Sequence, residues 1–272
     1  MTDSSLNEIF SRIEHARTAH EVVQQVEGLI LEGVFRAGDR LPGERDLARR
    51  FDVSRPILRE ALKALETRGL LVTRHGEGTH VADIIGEVFS RPVRDLIATH
   101  AKATADYLEY RREMEAVAAD LAARRATPDD RAMLAAIVAR MKAAHESGDF
   151  EAEAACDVEL HGAIGECAHN VILLHTLRSC YRLLADGVFY NRSLIYGLPG
   201  AREALLSQHL AIADAVMAGD APAARKAATE HIDFVIAAAA EAERAEEWRK
   251  VSRLRLLQRT ASGGGFIQGD MR

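Results

Sequence analysis

The chain has 272 residues, a formal net charge of −6, 48% hydrophobic residues and 5% aromatics. That composition suits a helix-rich globular protein with room for two domains, and it argues against a protein that clings to nucleic acid over its whole surface. No apolar run approaches the roughly 20 residues needed to span a bilayer and the N-terminus lacks a secretory signal pattern, so a cytoplasmic location is expected. Cys156, Cys167 and Cys180 are odd in number and irregular in spacing, which suits reduced structural thiols better than a disulfide framework.

Before Thr18 there is an amphipathic scrap (Leu6, Ile9, Phe10, Ile13) with no readable role. Val22, Val23, Val26, Leu29 and Ile30 then mark a first helix, closed by Gly33 and a turn at Ala37-Gly38-Asp39. Glu44 to Phe51 reads as a short helix with Leu47 and Phe51 on one face, and Asp52-Val53-Ser54 is a tight turn ending in a residue that favours N-caps. The next helix runs from Arg55 to Arg68. Its apolar stripe is Ile57, Leu58, Ala61, Leu62 and Leu65, Pro56 lies in the first turn, and Gly69 is placed for a left-handed cap. Leu70 to Thr73 and Thr79 to Val81 read as two short strands joined by His75-Gly76-Glu77-Gly78.

The order is helix, turn, helix, wing. A second helix of this kind can enter the major groove with its N-terminal residues at base edges, here Ser54, Arg55 and Arg59. Taken singly, each arginine is an ordinary solvated side chain, and only the whole arrangement points to DNA. Between Arg36 and Val81 there are ten Lys/Arg against seven Asp/Glu, a local basic excess inside an acidic chain that fits a confined DNA footprint.

After residues 1–84, the winged helix-turn-helix, the pattern weakens and Pro92 interrupts any continuous helix, so residues 85–104 are expected to be a linker. Residues 105–258 read as an all-helical antiparallel bundle, with no strand pattern and no internal repeat. Its helices are Tyr107 to Arg125, one capped by Thr127-Pro128-Asp129, Phe150 to Ala168, Val171 to Tyr190, Arg202 to Ala218, and Ala221 to about Gln258. Asn191 to Gly200 is expected to be a loop and residues 259–272 a disordered tail. The fold class is therefore mainly α: three helices with a β-hairpin wing, then a helical bundle.

Asp157 and His161 are four apart in one helix and share a face. His209 and His231 lie on two later helices that the short turn at Gly219-Asp220 makes antiparallel neighbours. One carboxylate and three imidazoles converging in a bundle would hold a first-row divalent ion with room for water or a ligand. Spacing alone leaves this open, because an Asp-x-x-x-His pair is common and a lone histidine is more often a satisfied core or surface residue. An Asp/His₃ site also keeps a rival open: a metal-dependent enzyme acting on a small hydroxy or keto acid. No general base or nucleophile is identifiable for it.

The segment LPGERDLARRFDVSRPILREALKALETRGLLVTRHGEGTHV resembles the winged helix of the GntR superfamily of bacterial transcription regulators, whose L-P-x-E-R-x-L-A, V-S-R-x-x-V-R-E-A-L, G-L and G-x-G-T-x-V motifs it meets in one gapless run. The resemblance implies DNA contacts by Arg45, Ser54, Arg55, Arg59 and the wing glycine Gly76. Leu58 stands where valine is frequent. The helical half resembles the FCD ligand-binding domain of the FadR subfamily. That implies Asp157, His161, His209 and His231 as ligands of one divalent metal ion, zinc first, with nickel or manganese as alternatives. It also implies that Arg111, within the E-x-R-x-x-x-E pattern Glu109-Arg111-Glu115, reaches a bound carboxylate. Asn170 matches an asparagine the subfamily tends to keep, with a helix cap as the plainer reading. The run AHNVILLHTLRSC is closest to regulators of pyruvate, lactate or glycolate metabolism. The expectation is a homodimeric repressor that binds palindromic operator DNA, answers a small carboxylate effector and catalyses nothing.

Overall fold

The computed structural model describes residues 18–83, 91–183 and 195–262. The amphipathic scrap before Thr18 lies outside them. The chain divides into two compact units, residues 1–90 with 169–179 and residues 91–168 with 180–272.

In the first unit, α1 (Ala19–Leu31) is started by a capping box in which Thr18 Oγ1 accepts the Glu21 amide and Glu21 Oε2 accepts the Thr18 amide. α2 (Glu44–Phe51) and α3 (Arg55–Thr67) are joined by a turn at Asp52, whose φ of +54° is in the left-handed region, with the Val53 amide donating to the Ala48 carbonyl at 3.0 Å. Val22, Val26 and Ile30 of α1 meet Leu47 and Phe51 of α2 and Leu58, Ala61 and Leu65 of α3 in one buried core. Gly69, at φ +74°, ends α3 as its position in the sequence implies.

The wing is an antiparallel pair, β1 (Leu71–Arg74) and β2 (Gly78–Val81), in register Leu71 opposite Val81 and Arg74 opposite Gly78. A third short segment completes it: Arg40 bridges His80, and the Leu41 amide donates to the Thr79 carbonyl at 2.9 Å. Leu71 and Val81, opposite each other in the register, are buried in the core, whereas Val72, Thr73 and Arg74 are all exposed, so only the base of the hairpin is anchored.

The second unit is all helix among its described residues. It begins earlier than the sequence suggests. The stretch expected to be a linker holds α4 (Arg91–Thr99) and the start of α5 (Ala101–Arg125), with a break at His100. Pro92 falls at the second residue of α4, where its missing N–H costs no hydrogen bond. Residues 85–90 of the expected linker lie outside the described residues.

α6 (Pro128–Ser147) opens on a Thr127/Asp130 capping box and closes at Gly148 in the left-handed region. α7 (Phe150–Cys167) follows with Asp149 as its cap, and α8 (Val171–Leu183) after it; the expected continuation of α8 to Tyr190 is outside the described residues. α9 (Ala201–Ala218) ends at Gly219, φ +76°. α10 (Ala221–Ser262) starts where Asp220 Oδ1 accepts the Ala223 amide at 3.0 Å. α10 continues past Gln258, so the segment read as a tail is helical up to Ser262.

Ala116, Ala119, Ala122 and Ala123 of α5 and Ala224 and Ala228 of α10 are all buried. Side chains this small let two long helices approach closely, which accounts for the alanine content. The first turns of α8 belong to the first unit. There His175 Nε2 lies 3.0 Å from the Leu31 carbonyl and Arg178 Nη2 donates to the Gly33 carbonyl at 3.3 Å. No helix among the described residues is long and apolar enough to cross a membrane.

Candidate metal centre and DNA-reading face

Asp157 and His161 come from the middle of α7, His209 from α9 and His231 from α10, and all four side chains are buried. Their donor atoms lie within 4.8 Å of one another. Two donors at about 2.1 Å from one ion are at most about 4.2 Å apart, so the cluster would draw in slightly to hold one. His161 Nε2 is 3.1 Å and His209 Nε2 2.8 Å from the same oxygen, Asp157 Oδ1. The imidazole centroids of His209 and His231 are 4.5 Å apart.

The hydrogen bonds on the far side of the rings decide what these nitrogens present. His161 Nδ1 is 2.6 Å from the Glu115 carboxylate, and His231 Nδ1 is 3.1 Å from Gln208 Oε1. Both partners are acceptors, which assigns the proton to Nδ1 in each ring and makes Nε2 the nitrogen that carries the lone pair. His161 Nε2 is buried and makes no hydrogen bond. A lone pair held near a carboxylate oxygen in a dry interior is costly unless a cation lies between them. The donor set therefore fits a divalent first-row ion.

Glu115 is held in turn by Arg111, four residues earlier on α5; both are 4% exposed and the Arg111 Nε–H donates to the carboxylate. Burial alone would raise the Glu115 pKa. The Arg111 charge and the His161 imidazole outweigh it and bring the carboxyl down to about 2. Arg111, expected to reach an effector carboxylate, pairs with one in the protein, and that carboxylate in turn contacts His161 of the candidate metal cluster.

The narrow cleft that opens to solvent beside Asp157 and His209 carries a different guanidinium, Arg202. Arg202 pairs with Glu153, donates to the His145 carbonyl at 3.3 Å and lies over the Phe150 ring with 4.6 Å to the centroid. Sequence reading missed Arg202, Glu153 and Gln208. Glu153 stands one helical turn before Asp157, which is the only signal that could have drawn attention to it. Asn170, the other residue expected at an effector, is exposed, and its Oδ1 accepts the Leu173 amide at 3.1 Å at the start of α8. Cys156, Cys167 and Cys180 are buried, and burial raises their thiol pKa values, to about 12 for Cys167 and about 11 for Cys180, so they stay protonated and inert.

In the first unit Arg45, Ser54, Arg55, Arg59 and Gly76 are all exposed. Arg55 and Arg59 flank Glu44 of α2 at 3.7 and 2.8 Å. Exposed pairs of this kind are worth little and are readily exchanged for other anions. Ser54 is the N-cap residue of α3 without a side-chain cap bond, so its hydroxyl is not committed to the helix end. Gly76 adopts φ +79° at the wing tip with open space where a Cβ would stand, so the turn's backbone, not crowding, calls for glycine.

Two protein families match the two halves: bacterial regulatory proteins of the gntR family over residues 18–81, and the FCD domain over residues 106–234. An Escherichia coli (strain K12) protein named as an L-lactate dehydrogenase operon regulator is 39% identical over 223 residues, covering 80% of this chain and 85% of its own. The Glc operon transcriptional activator of the same organism is 31% identical over 217 residues, 79% of this chain and 85% of its own. The Bacillus subtilis (strain 168) regulator LutR is 28% identical over 208 residues, 76% of this chain and 94% of its own. Both families and all three relatives are regulators, which removes the metalloenzyme alternative. With a winged helix-turn-helix at residues 18–81 and an FCD domain behind it, this chain belongs to the gntR family of bacterial transcription regulators, as a FadR-type member that binds DNA and is not an enzyme.

Proposed function

We propose that the protein is a homodimeric, cytoplasmic repressor of a 2-hydroxy-acid operon, released from palindromic operator DNA by a small carboxylate that binds beside one divalent metal ion, zinc in the first instance. The observation that carries this is the buried Asp157/His161/His209/His231 cluster next to a cleft that holds a guanidinium. The regulators it resembles are named for the L-lactate dehydrogenase and Glc operons, which makes L-lactate the first effector to test and glycolate the second. When bound, the ion supplies a Lewis acid for carboxylate and hydroxyl oxygens. Arg202 lines the approach, and Arg111 acts through Glu115 to hold His161. An effector can shift operator binding only by preferring one domain arrangement over another, so a ligand that binds both equally is silent. The test is operator binding to DNA upstream of the adjacent operon, with L-lactate, glycolate and pyruvate titrated in turn. L-Lactate should weaken binding most; indifference to all three overturns the effector assignment.

Arg45, Ser54, Arg55, Arg59 and Gly76 are proposed as the DNA-contacting set, with Arg55 and Arg59 of α3 reading bases. Replacing either arginine with alanine should cost about 1 to 3 kcal/mol on the operator and relax sequence preference, the worth of one bidentate base contact. Arg225→Ala, in the other unit, should leave DNA binding unchanged. Equal losses on operator and random DNA, measured by fluorescence anisotropy, would reduce the arginines to phosphate contacts.

A further inference from the structure

The wing carries a positive charge that no other residue of the protein neutralises. Arg40 stands opposite His80 at the outer edge of β2, the pair flanked by the Leu41 amide on the Thr79 carbonyl and the Val81 amide on the Asp39 carbonyl, both at 2.9 Å. In an antiparallel pair a long side chain can also reach the diagonal neighbour two residues from its partner, here Gly78. The Arg40 guanidinium lies on that diagonal. A β-carbon at Gly78 would stand 3.1 Å from its Nε and 3.5 Å from its Nη2, so bare backbone is what gives the guanidinium its place. Gly78 is also held at φ +99°, in the left-handed region that favours glycine. The side chain therefore runs along β2 towards the wing tip, to within two residues of Gly76.

Arg49, Arg55, Arg59, Arg68 and Arg74 each have a carboxylate in salt-bridge reach. Arg40 is exposed and has none among the described residues. The acid next to it, Asp39, turns its carboxylate to the Arg36 amide at 2.7 Å. An anion that binds Arg40 thus breaks no ion pair, and the contact with Gly78 already limits the rotamers that binding would have to freeze.

We propose that Arg40 clamps one phosphate of the DNA backbone beside the wing. This rests on the DNA-contacting set above, in which Gly76 brings the same end of the wing to the duplex. A guanidinium fork matches two phosphate oxygens and is blind to the base, so the contact fixes where the wing sits and adds affinity for any sequence. Arg55 and Arg59 differ in that they must leave Glu44 before they can reach base edges.

The test uses the full chain with Arg40→Gln and Arg40→Lys, and Arg59→Ala as reference. Binding is measured by fluorescence anisotropy on a random-sequence duplex and on the duplex upstream of the adjacent operon, from about 50 to about 200 mM salt. Arg40→Gln should flatten the slope of log K against log salt by about 0.9 on both duplexes, the loss of one neutralised phosphate. It should weaken both several-fold and leave their ratio unchanged. Arg40→Lys keeps the charge and should keep the slope, and all three variants should melt with the wild type. A wild-type slope in Arg40→Gln overturns the clamp. So does a loss confined to the operator fragment, which would make Arg40 a base reader, or an equal loss in Arg40→Gln and Arg40→Lys at unchanged slope, which would make it a brace for the wing. If Arg40→Gln binds as the wild type while Arg59→Ala loses sequence preference, the clamp falls and the DNA-contacting set stands. If neither variant changes binding, both fall.

Discussion

His209→Ala is expected to yield a protein that binds operator DNA normally but holds no stoichiometric metal and no longer answers its effector. His209 Nε2 is one of two imidazole nitrogens within 3.1 Å of Asp157 Oδ1, and it bridges α9 to α7. Without it three of the four candidate donors remain, and a bound ion would no longer tie α9 to α7. A ligand present at a thousand times its dissociation constant stabilises the folded state by about 4 kcal/mol, so the wild type should melt well above the variant in metal and close to it in chelator. Elemental analysis of untagged protein, with melting curves in both conditions, is the check. A variant that retains one equivalent of metal, or wild-type protein that responds to effector after chelation, would remove these four residues from the assignment.

The second large effect is expected at Glu115. Its carboxylate sits between Arg111 and His161, all three buried. Glu115→Ala leaves the Arg111 guanidinium charged and unpaired in the interior, a change worth about 3 to 5 kcal/mol against folding. Glu115→Gln separates stability from ligation. It keeps the shape and an acceptor oxygen for the His161 N–H but removes the charge. Loss of such support around a ligand histidine typically weakens metal binding by about 10- to 100-fold. Denaturant unfolding of the first variant and competitive metal titration of the second measure the two effects. A Glu115→Gln protein with wild-type metal affinity would show that His161 needs no orientation from the carboxylate.

Much of this molecule is written locally. The 3.6-residue period of α1 to α3, the left-handed positions at Asp52 and Gly69, and the caps at Thr127 and Asp220 are short-range effects of sterics and hydrogen bonding, and each could be placed from neighbouring residues. So could the pairing of Asp157 with His161 on one face and the reach of the arginines at the start of α3. The expected break around Pro92 failed for the same kind of reason: proline tolerates the second position of a helix, and nothing nearby in the sequence announces that α4 begins at Arg91.

What packing alone decided involves residues far apart in the chain. Arg111 and Glu115 are legible as an i, i+4 pair, yet the contact of Glu115 with His161, 46 positions further on, exists only because α5 lies against α7. Gln208 adjoins His209 but points elsewhere by the 100° step of the helix and serves His231 on the next one. That Arg202 and not Arg111 lines the open cleft has the same origin. Both guanidiniums pair with a buried carboxylate, Arg111 with Glu115 and Arg202 with Glu153, and only the packing of their helices puts Arg202 on the cleft. Side-chain spacing fixes which residues share a face, but burial and the approach of two helices fix what that face meets.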